Sequence, residues 1–243
     1  MSLKEAFYRT LIMDDRWKDL LHGYGLTLLI TLLAALLGIV IGIILAAIRS
    51  TYDKNKEALK MRGGFGYWIM KILNFIANIY LTVIRGTPVV VQLLISYFII
   101  FAAMKASVRN GIIIAFITFG INSGAYVAEI FRGGIMSIDN GQFEAGRSLG
   151  FNYLQTMRYI IIPQMFKVVL PTLINEFIAL LKETSVAGYV GIMELTKQGD
   201  IIRGNTFIAF PPLITVAAIY LVTVIILTQF DKWLERKLRS SDR

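Results

Sequence analysis

Long runs of apolar residues alternate with short charged segments along this chain. The first run without a charge covers 26–48, and a helix of that length crosses a hydrocarbon core of about 30 Å. A weaker apolar stretch at 67–84 carries Lys71, Asn74 and Asn78 on one helical face, which predicts an amphipathic helix at the membrane surface. Together the stronger runs predict transmembrane helices at about 26–48, 88–104, 111–132, 159–182 and 207–230.

The composition agrees with an integral membrane protein and excludes several other classes. Of the 243 residues, 56% are hydrophobic and 17% are charged, whereas about 25% are charged in an ordinary soluble domain. The chain has no cysteine and a single histidine, His22, so we expect no thiolate or zinc site. It contains neither a phosphate-binding loop nor a nucleophile motif. We therefore expect no catalytic residue, no bound metal and no cofactor in this chain.

Basic residues gather at the ends of the apolar runs. The net charge is +9, and Lys and Arg concentrate in the cytoplasmic loops of membrane proteins. The segment 49–71 and the C-terminal tail are both basic, and five spans place them on the same side of the membrane. We predict one transmembrane domain over 1–243, with the N-terminus outside and the C-terminus in the cytoplasm, and no nucleic-acid partner. The charged stretch 51–62 is the best candidate for a linker.

Small residues recur at helical spacing in two of the apolar runs. Gly38 and Gly42 form one G-x-x-x-G pair, and Gly120 and Gly124 form another. Such pairs let helices approach closely in lipid. They predict close packing within one bundle, with a homodimer face as the alternative.

A polar connection at 137–158 separates two of the predicted spans. Asp139, with Gln142 three residues later, predicts a capping box at the start of a helix. Gly150 can adopt the left-handed conformation that ends such a helix, and Asn152 can cap the next one. We predict a short helix across the cytoplasmic mouth, followed by a turn that Gly150 fixes.

The same connection carries a family signature. The match comprises an E-A-A-like tripeptide, a glycine after three further residues and I-x-I-P after nine more: Glu144-Ala145-Gly146, Gly150 and Ile160-x-Ile162-Pro163. It resembles the pattern E-A-A-x3-G-x9-I-x-L-P of the permease subunits of ATP-binding-cassette importers, with Gly146 in place of the second alanine and Ile162 in place of the leucine. The resemblance implies that this coupling loop (137–158) docks on an ATPase subunit. Its expected coupling residues are Glu144, Ala145, Gly146, Gly150 and Pro163.

Further stretches resemble the polar amino-acid branch of that family. They are I-R-G-T-P-V-V-V-Q-L at 84–93, S-G-A-Y-V-A-E-I-F-R-G-G-I at 123–135 and K-E-T-S at 182–185. The resemblance covers roughly 22–230, and it is weaker in the first 20 residues and around 51–66. It implies an all-α type I importer permease bundle of five transmembrane helices in the bacterial cytoplasmic membrane. The implied partners are a dimer of ATPase subunits that binds ATP and Mg, an external amino-acid-binding protein, and a second permease copy or close paralogue.

Polar residues in these stretches are candidates for binding the substrate. They are Arg85, Thr87, Gln92, Asn122, Ser123 and Glu129. Thr87 can cap a helix that starts at Pro88, whose free N–H groups suit an amino-acid carboxylate. Glu129 lies late in a span, where it can bind an ammonium group or form a salt bridge to Arg132 or Arg85.

Two other functions stay open at this point. An ion-coupled carrier would use Glu129 and Glu176 as a proton relay, whereas a permease gives Glu176 a structural role beside Lys182. A non-transport assembly or sensor protein would explain the hydropathy but would treat the motif as an accident. The sequence also leaves open which amino acid is carried, and whether two identical or two related subunits form the pathway.

Overall fold

The computed structural model of the protein describes residues 2–103 and 110–240, and helices make up all the regular structure in these ranges. The predicted all-α class is therefore confirmed. The predicted end of the second span, residue 104, lies outside the described residues. The helices are α1 (Leu3–Phe7), α2 (Arg16–Arg62), α3 (Gly64–Arg85), α4 (Val89–Ile95), α5 (Gly111–Met136), α6 (Asn140–Ser148), α7 (Tyr153–Thr156), α8 (Ile162–Glu183), α9 (Leu195–Thr206) and α10 (Phe210–Ser240). Short π or 3-10 turns extend several of them, at Tyr8–Ile12, Met13–Asp15, Ser96–Ile100, Phe101–Ala103, Met157–Ile161 and Thr184–Val190.

Within the described ranges, 5 helical segments are long and apolar enough to cross a membrane. They are Leu3–Lys54, Gly64–Arg85, Gly111–Met136, Tyr153–Val190 and Phe210–Leu238. The number agrees with the sequence prediction, but the set differs. Helix α3, expected at the membrane surface, meets the length and hydropathy requirement with 22 residues, whereas the apolar helix Val89–Ala103 is shorter. The positions and the orientation of the spans stay predictions.

Helix α2 continues through the stretch that the sequence offered as a linker. It is 47 residues long and ends at Arg62. Lys, Glu, Ala, Leu and Met fill much of 51–62, and all of them are good helix formers despite the charge. The helix stops only where Gly63 and Gly64 adopt positive φ angles of 58° and 80°. The linker interpretation is therefore wrong.

The helices group into two compact units, and the chain enters each unit three times. The first unit comprises Met1–Leu36, Pro88–Gly120 and Phe177–Gln229. The second unit comprises Leu37–Thr87, Ile121–Glu176 and Phe230–Arg243. Neither unit is a contiguous stretch of sequence, so neither can be separated as an independent piece of the chain.

The first unit is held by two apolar clusters and a few buried polar contacts. One cluster contains fully buried residues from four helices, Ile30, Leu93, Phe119 and Leu180 among them. The second cluster packs α9 against α10 through Leu195, Ile202 and Val216, with Leu20 of α2. The hydroxyl groups of Thr31 and Thr184 lie 3.3 Å apart, which adds a buried hydrogen bond to the unit.

Glu194 is a buried acid at the start of α9. Its carboxylate accepts hydrogen bonds from the backbone N–H groups of Thr196 and Lys197, each at 2.7 Å. The tip of Tyr220 lies 3.5 Å away. Burial raises the pKa of Glu194 above its ordinary value in spite of these bonds, because a charged carboxylate is poorly solvated inside the unit. Glu194 thus serves as an N-cap whose charged form carries a desolvation cost.

We expect Glu194→Gln to be more stable than Glu194→Ala at neutral pH. The amide oxygen of Gln can still accept from one of the two N–H groups at the helix start, whereas Glu194→Ala leaves both unpaired and lowers the free energy of unfolding by about 1 kcal/mol or more. A folded-state pKa above the unfolded value makes stability fall as pH rises through the unfolded pKa toward the folded one. Glu194→Gln should remove that fall. Thermal unfolding in detergent, from mildly acidic to neutral pH, measures both effects, and equal losses in the two variants would contradict the assignment.

The second unit depends on close approach between α2 and α5. A Cβ atom added to Gly42 would lie 2.7 Å from Val127 Cβ and 3.0 Å from the backbone N of Ala128. One added to Gly38 would lie 3.0 Å from Ser123 Cβ. Gly124 is in the same way pressed against Ile41. Gly38, Gly42 and Gly124 serve packing inside the chain, as the sequence predicted.

Candidate functional site

The connection at 137–158 folds into a short helix, α6, whose start is capped as predicted. The carboxylate of Asp139 accepts a hydrogen bond from the N–H of Gly141. The reciprocal half of the expected capping box is wrong, because the Gln142 side chain instead accepts from the amide of Gln164 at 3.2 Å. Helix α6 is thereby attached to α8 by a side chain that the sequence assigned to the cap.

Gly150 ends α6 in the left-handed conformation, with φ of +79°. Its N–H donates to the carbonyl of Arg147 at 2.9 Å, and the N–H of Phe151 donates to the carbonyl of Gly146 at 3.0 Å. These two bonds form a Schellman motif, which needs a left-handed residue and is usually closed by glycine. The turn predicted at Gly150 is present.

The chain re-enters a long helix directly after this turn. Asn152 and Gln155 form a complete capping box, with both side chain to backbone hydrogen bonds at 2.9 Å. A π turn at Met157–Ile161 follows, just before Pro163 in the first turn of α8. Proline has no N–H to donate to the helix ladder, and a widened turn before it accommodates the gap. Pro163 therefore shapes the entry into α8.

Phe143 and Lys54 fix the position of α6 on the second unit. Phe143 is buried in an apolar cluster with Ile161 and Met165. The ammonium group of Lys54 donates to Asn140 Oδ1 at 2.7 Å and lies 4.6 Å from the centroid of the Phe143 ring. Lys54 was missed at the sequence level, because nothing distinguishes it from the other lysines of a charged stretch. It ties the end of α2 to the start of α6.

The two sides of α6 have different environments. Phe143 and Gly146 are buried, whereas Glu144 and Ala145 are exposed, and Leu149 just after the helix is 70% exposed. A Cβ atom on Gly146 would lie 2.7 Å from Cγ2 of the buried Thr156. Thr156 therefore explains why glycine replaces the alanine of the family pattern here. A pocket of about 310 Å³ lies beside α6, lined by Lys54, Asn140, Phe143, Glu144, Arg147, Tyr153 and Thr156.

A cluster of ion pairs joins α2 to α5 in the second unit. Glu129 lies 3.0 Å from Arg132 and 3.5 Å from Arg49. Arg132 also lies 3.4 Å from Asp53. These side chains are between 18% and 31% exposed. The salt bridge from Glu129 to Arg132 that the sequence offered as an alternative is present, and Arg49 and Asp53 are additional members that only the fold brings together.

A pocket of about 470 Å³ opens beside this cluster and combines both signs of charge. Arg85 lies with its guanidinium 5.5 Å from the centroid of the Tyr126 ring. The Glu176 carboxylate accepts a hydrogen bond from Ser123 at 2.8 Å. The lining residues are Arg85, Tyr126, Glu129, Ile130, Thr172, Asn175 and Glu176.

The six candidate substrate residues have different environments. Arg85 and Glu129 line the pocket, and Ser123 reaches it through its bond to Glu176. Asn122 is 3% exposed, and Gln92 belongs to the first unit. Sequence reasoning missed Tyr126, Thr172 and Asn175 as lining residues, since they become neighbours only when α5 and α8 pack together.

Thr87 was predicted to cap the next helix, but it is not the N-cap residue of that helix. Helix α4 begins at Val89, its N-cap residue is Pro88, and no side chain caps it. The Thr87 hydroxyl instead donates to the carbonyl of Val83 at 2.9 Å, one turn back in α3. A threonine at a helix end can bond backward or forward, and here the structure shows the backward bond.

The fold places this chain among the transmembrane subunits of ATP-binding-cassette importers. It superposes on a crystal structure of an amino acid ABC transporter with histidines at a TM-score of 0.79 and 36% identity, covering 93% of this chain and 97% of that one. Residues 63–240 match the family model described as binding-protein-dependent transport system inner membrane component. The chain belongs to this family of transport permeases, whose members are not enzymes.

Two bacterial relatives share much of the chain. The glutamine transport system permease protein of Escherichia coli strain K12 is 39% identical over 175 residues, which is 72% of this chain and 78% of the relative. The arginine transport system permease protein of Bacillus subtilis strain 168 is 39% identical over 168 residues, 69% of this chain and 76% of the relative. The resemblance drawn from the motifs is confirmed.

Proposed function

We propose that this chain is a permease subunit of an ATP-driven importer of polar amino acids in the bacterial cytoplasmic membrane. Family membership supports the transport role, and the names of the glutamine and arginine relatives support the substrate class. An external binding protein delivers the substrate, and a second copy or close paralogue completes the pathway. The N-terminus is outside and the C-terminus is in the cytoplasm.

The observation that carries the proposal is the construction of α6. Phe143, Lys54 and Gln142 hold the helix on the second unit. On its other side Glu144 and Ala145 are exposed, with Leu149 beyond the helix end. A helix fixed on one side and exposed on the other suits the transmission of movement from a partner. That partner is an ATPase dimer that binds ATP and Mg. Gly146, Gly150 and Pro163 maintain the conformation of the helix and of the segments on either side of it.

The chemistry of the 470 Å³ pocket supports a zwitterionic substrate. A guanidinium group pairs well with an amino-acid carboxylate, and carboxylates pair well with an ammonium group. Arg85 can serve the first role and Glu176 or Glu129 the second. Thr87, Gln92, Asn122 and Ser123 remain candidates for further contacts along the pathway.

Glu144→Lys is expected to remove the ATPase subunit from the purified complex. The charge reversal lies at the centre of the exposed side of α6, so it should weaken docking without disturbing the buried side. Gly150→Pro should act in the same way, because proline is restricted to negative φ and the turn needs +79°. The measurement is a tagged pull-down in mild detergent, followed by mass spectrometry and an ATPase assay.

The matched control is Glu57→Lys, the same charge reversal at an exposed position of α2 outside the coupling loop. It should keep the ATPase and amino-acid uptake at parental levels. Recovery of the ATPase in both coupling-loop variants, with uptake still driven by ATP, would contradict the role of α6. Recovery of the parental chain without any ATPase would favour a carrier or sensor instead.

A further inference from the structure

A pocket between the end of α2 and the start of α3 lies apart from the features described above. It has a volume of about 340 Å³ and takes Tyr52 from α2 and Trp68, Lys71, Asn74, Phe75 and Asn78 from α3. All of these residues belong to the second unit. Tyr and Trp concentrate at the boundary between headgroups and hydrocarbon in membrane proteins. This α2–α3 pocket therefore has the residue composition of a membrane interface.

The pocket carries a positive charge in a fixed position. The ammonium group of Lys71 lies 4.8 Å from the centroid of the Trp68 ring and 6.0 Å from that of Tyr67. Aromatic faces attract a cation and so restrain its position. Lys56 and Lys60 are exposed on α2 at four and eight residues beyond Tyr52, hence on the same helical face. The charge of this region suits an anionic ligand.

Asn74 supplies a second signal of a ligand. Its side-chain oxygen is buried and has no hydrogen-bond partner among the described residues. The backbone carbonyl of the same residue is already bonded to the amide of Asn78 at 2.9 Å. A buried acceptor without a donor costs free energy unless a water or a ligand supplies one. A headgroup hydroxyl would do so.

Beyond the pocket, α3 continues as an apolar surface. Phe75, Ile76, Ile79 and Val83 are between 48% and 65% exposed. Only Ala77 and Leu81 of this helix are recorded as buried. A stripe of exposed apolar side chains that starts at a basic, aromatic pocket matches a molecule with an anionic head and a long hydrocarbon chain.

We propose that the α2–α3 pocket binds one anionic phospholipid with hydroxyl groups in its head, of the phosphatidylglycerol type. Lys71 pairs with the phosphate, the Asn74 oxygen accepts from a headgroup hydroxyl, and an acyl chain lies along the exposed stripe of α3. Tyr52 and Trp68 flank the headgroup. The bound lipid stabilises the α2–α3 hairpin, whose second helix is mostly exposed.

The test uses the full-length chain, purified in detergent with whatever subunits accompany it. The thermal unfolding midpoint is measured while short-chain phosphatidylglycerol, phosphatidylcholine or inorganic phosphate is added. We expect saturable stabilisation by phosphatidylglycerol only. Lys71→Gln should raise the half-saturating concentration about fivefold, the effect of one interfacial lysine. Asn74→Leu should weaken phosphatidylglycerol more than phosphatidic acid, which lacks headgroup hydroxyls.

The control is Lys237→Gln in α10. Lys237 lies 5.3 Å from the Trp233 ring centroid, so the change removes the same charge and the same kind of lysine–tryptophan contact elsewhere. It should leave the phosphatidylglycerol response unchanged. Equal stabilisation by phosphatidylcholine would mean an unspecific lipid layer, and stabilisation by inorganic phosphate would mean a free-anion site. Either result, or an equal response in Lys71→Gln and Lys237→Gln, overturns the proposal.

Discussion

Replacing Gly42 by leucine is expected to prevent the second unit from folding. A Cβ atom at this position already falls 2.7 Å from Val127 Cβ and 3.0 Å from a backbone nitrogen of α5, and leucine adds three more carbon atoms. The backbone of α5 cannot move away without separating the two helices along their length. We expect a loss of about 3 kcal/mol or more, at the upper end of overpacking effects. The measurement is the yield of monodisperse protein and its unfolding midpoint in detergent.

Gly25→Leu is the matched control, because it makes the same substitution in the same helix. No atom lies within 4 Å of a Cβ built there, and the position is exposed. Leucine is a better helix former than glycine by several tenths of a kcal/mol. Gly25→Leu should therefore be as stable as the parent protein or slightly more so. If both leucine variants lost stability equally, the close α2–α5 contact would not be the cause.

Glu129→Gln is expected to destabilise the second unit by about 2 kcal/mol, since the removal of one partner leaves a partly buried charge without compensation. Glu129 lies between two arginines, Arg49 and Arg132. The buried Nε of Arg49 already lacks a hydrogen-bond partner among the described side chains. Arg132 keeps Asp53 in the variant, so the main loss falls on Arg49. Thermal or denaturant unfolding in detergent measures it.

The double variant Arg49→Gln with Glu129→Gln separates a structural role from a substrate role. If the loss comes from the unpaired guanidinium, removing that group should recover more than half of it. The single change Arg49→Gln serves as the control and should be milder than Glu129→Gln. If Glu129 has no structural role and serves the substrate ammonium alone, Glu129→Gln raises the half-saturating substrate concentration and leaves unfolding unchanged, which would contradict the prediction.

Gly42 and Glu129 lie in the same unit as the features that we propose to be functional. The α2–α5 contact at Gly42 and the ion pairs at Glu129 lie in the unit that also carries α6. The same unit contains the pocket lined by Arg85 and Glu176. Variants of the packing should therefore reduce uptake of every substrate together, whereas changes at the pocket should alter affinity for particular ones.

Several local features of this protein were determined by the sequence alone, because they depend on residues close together in the chain. The apolar runs predict membrane-spanning helices through their length and composition. Asp139 predicts the start of α6, Gly150 predicts its end, and Asn152 predicts the cap of the next helix. Each of the three residues has that role in the structure. Capping and left-handed turns need only neighbouring backbone groups, so a short window of sequence contains the required information.

Competition between local partners was harder to predict. Gln142 was expected to complete a capping box, yet its side chain accepts a hydrogen bond from the amide of Gln164 in α8 instead. Thr87 was expected to cap α4, but its hydroxyl bonds back into α3. The charged stretch 51–62 was expected to be a linker, yet α2 continues through it to Arg62. In each case the residue types permit both outcomes, so the local sequence does not decide between them.

Only the tertiary structure decided which distant side chains meet. Lys54 lies 86 residues from Asn140 in the chain, and Arg49 joins Glu129 across the interface between α2 and α5. Glu194 is an acid between two helices in the sequence, and only the fold encloses it so that its pKa rises. Burial, desolvation and ion pairing depend on everything packed around a group. That environment is formed by helices from distant parts of the chain, so no single stretch of sequence contains the information to predict it.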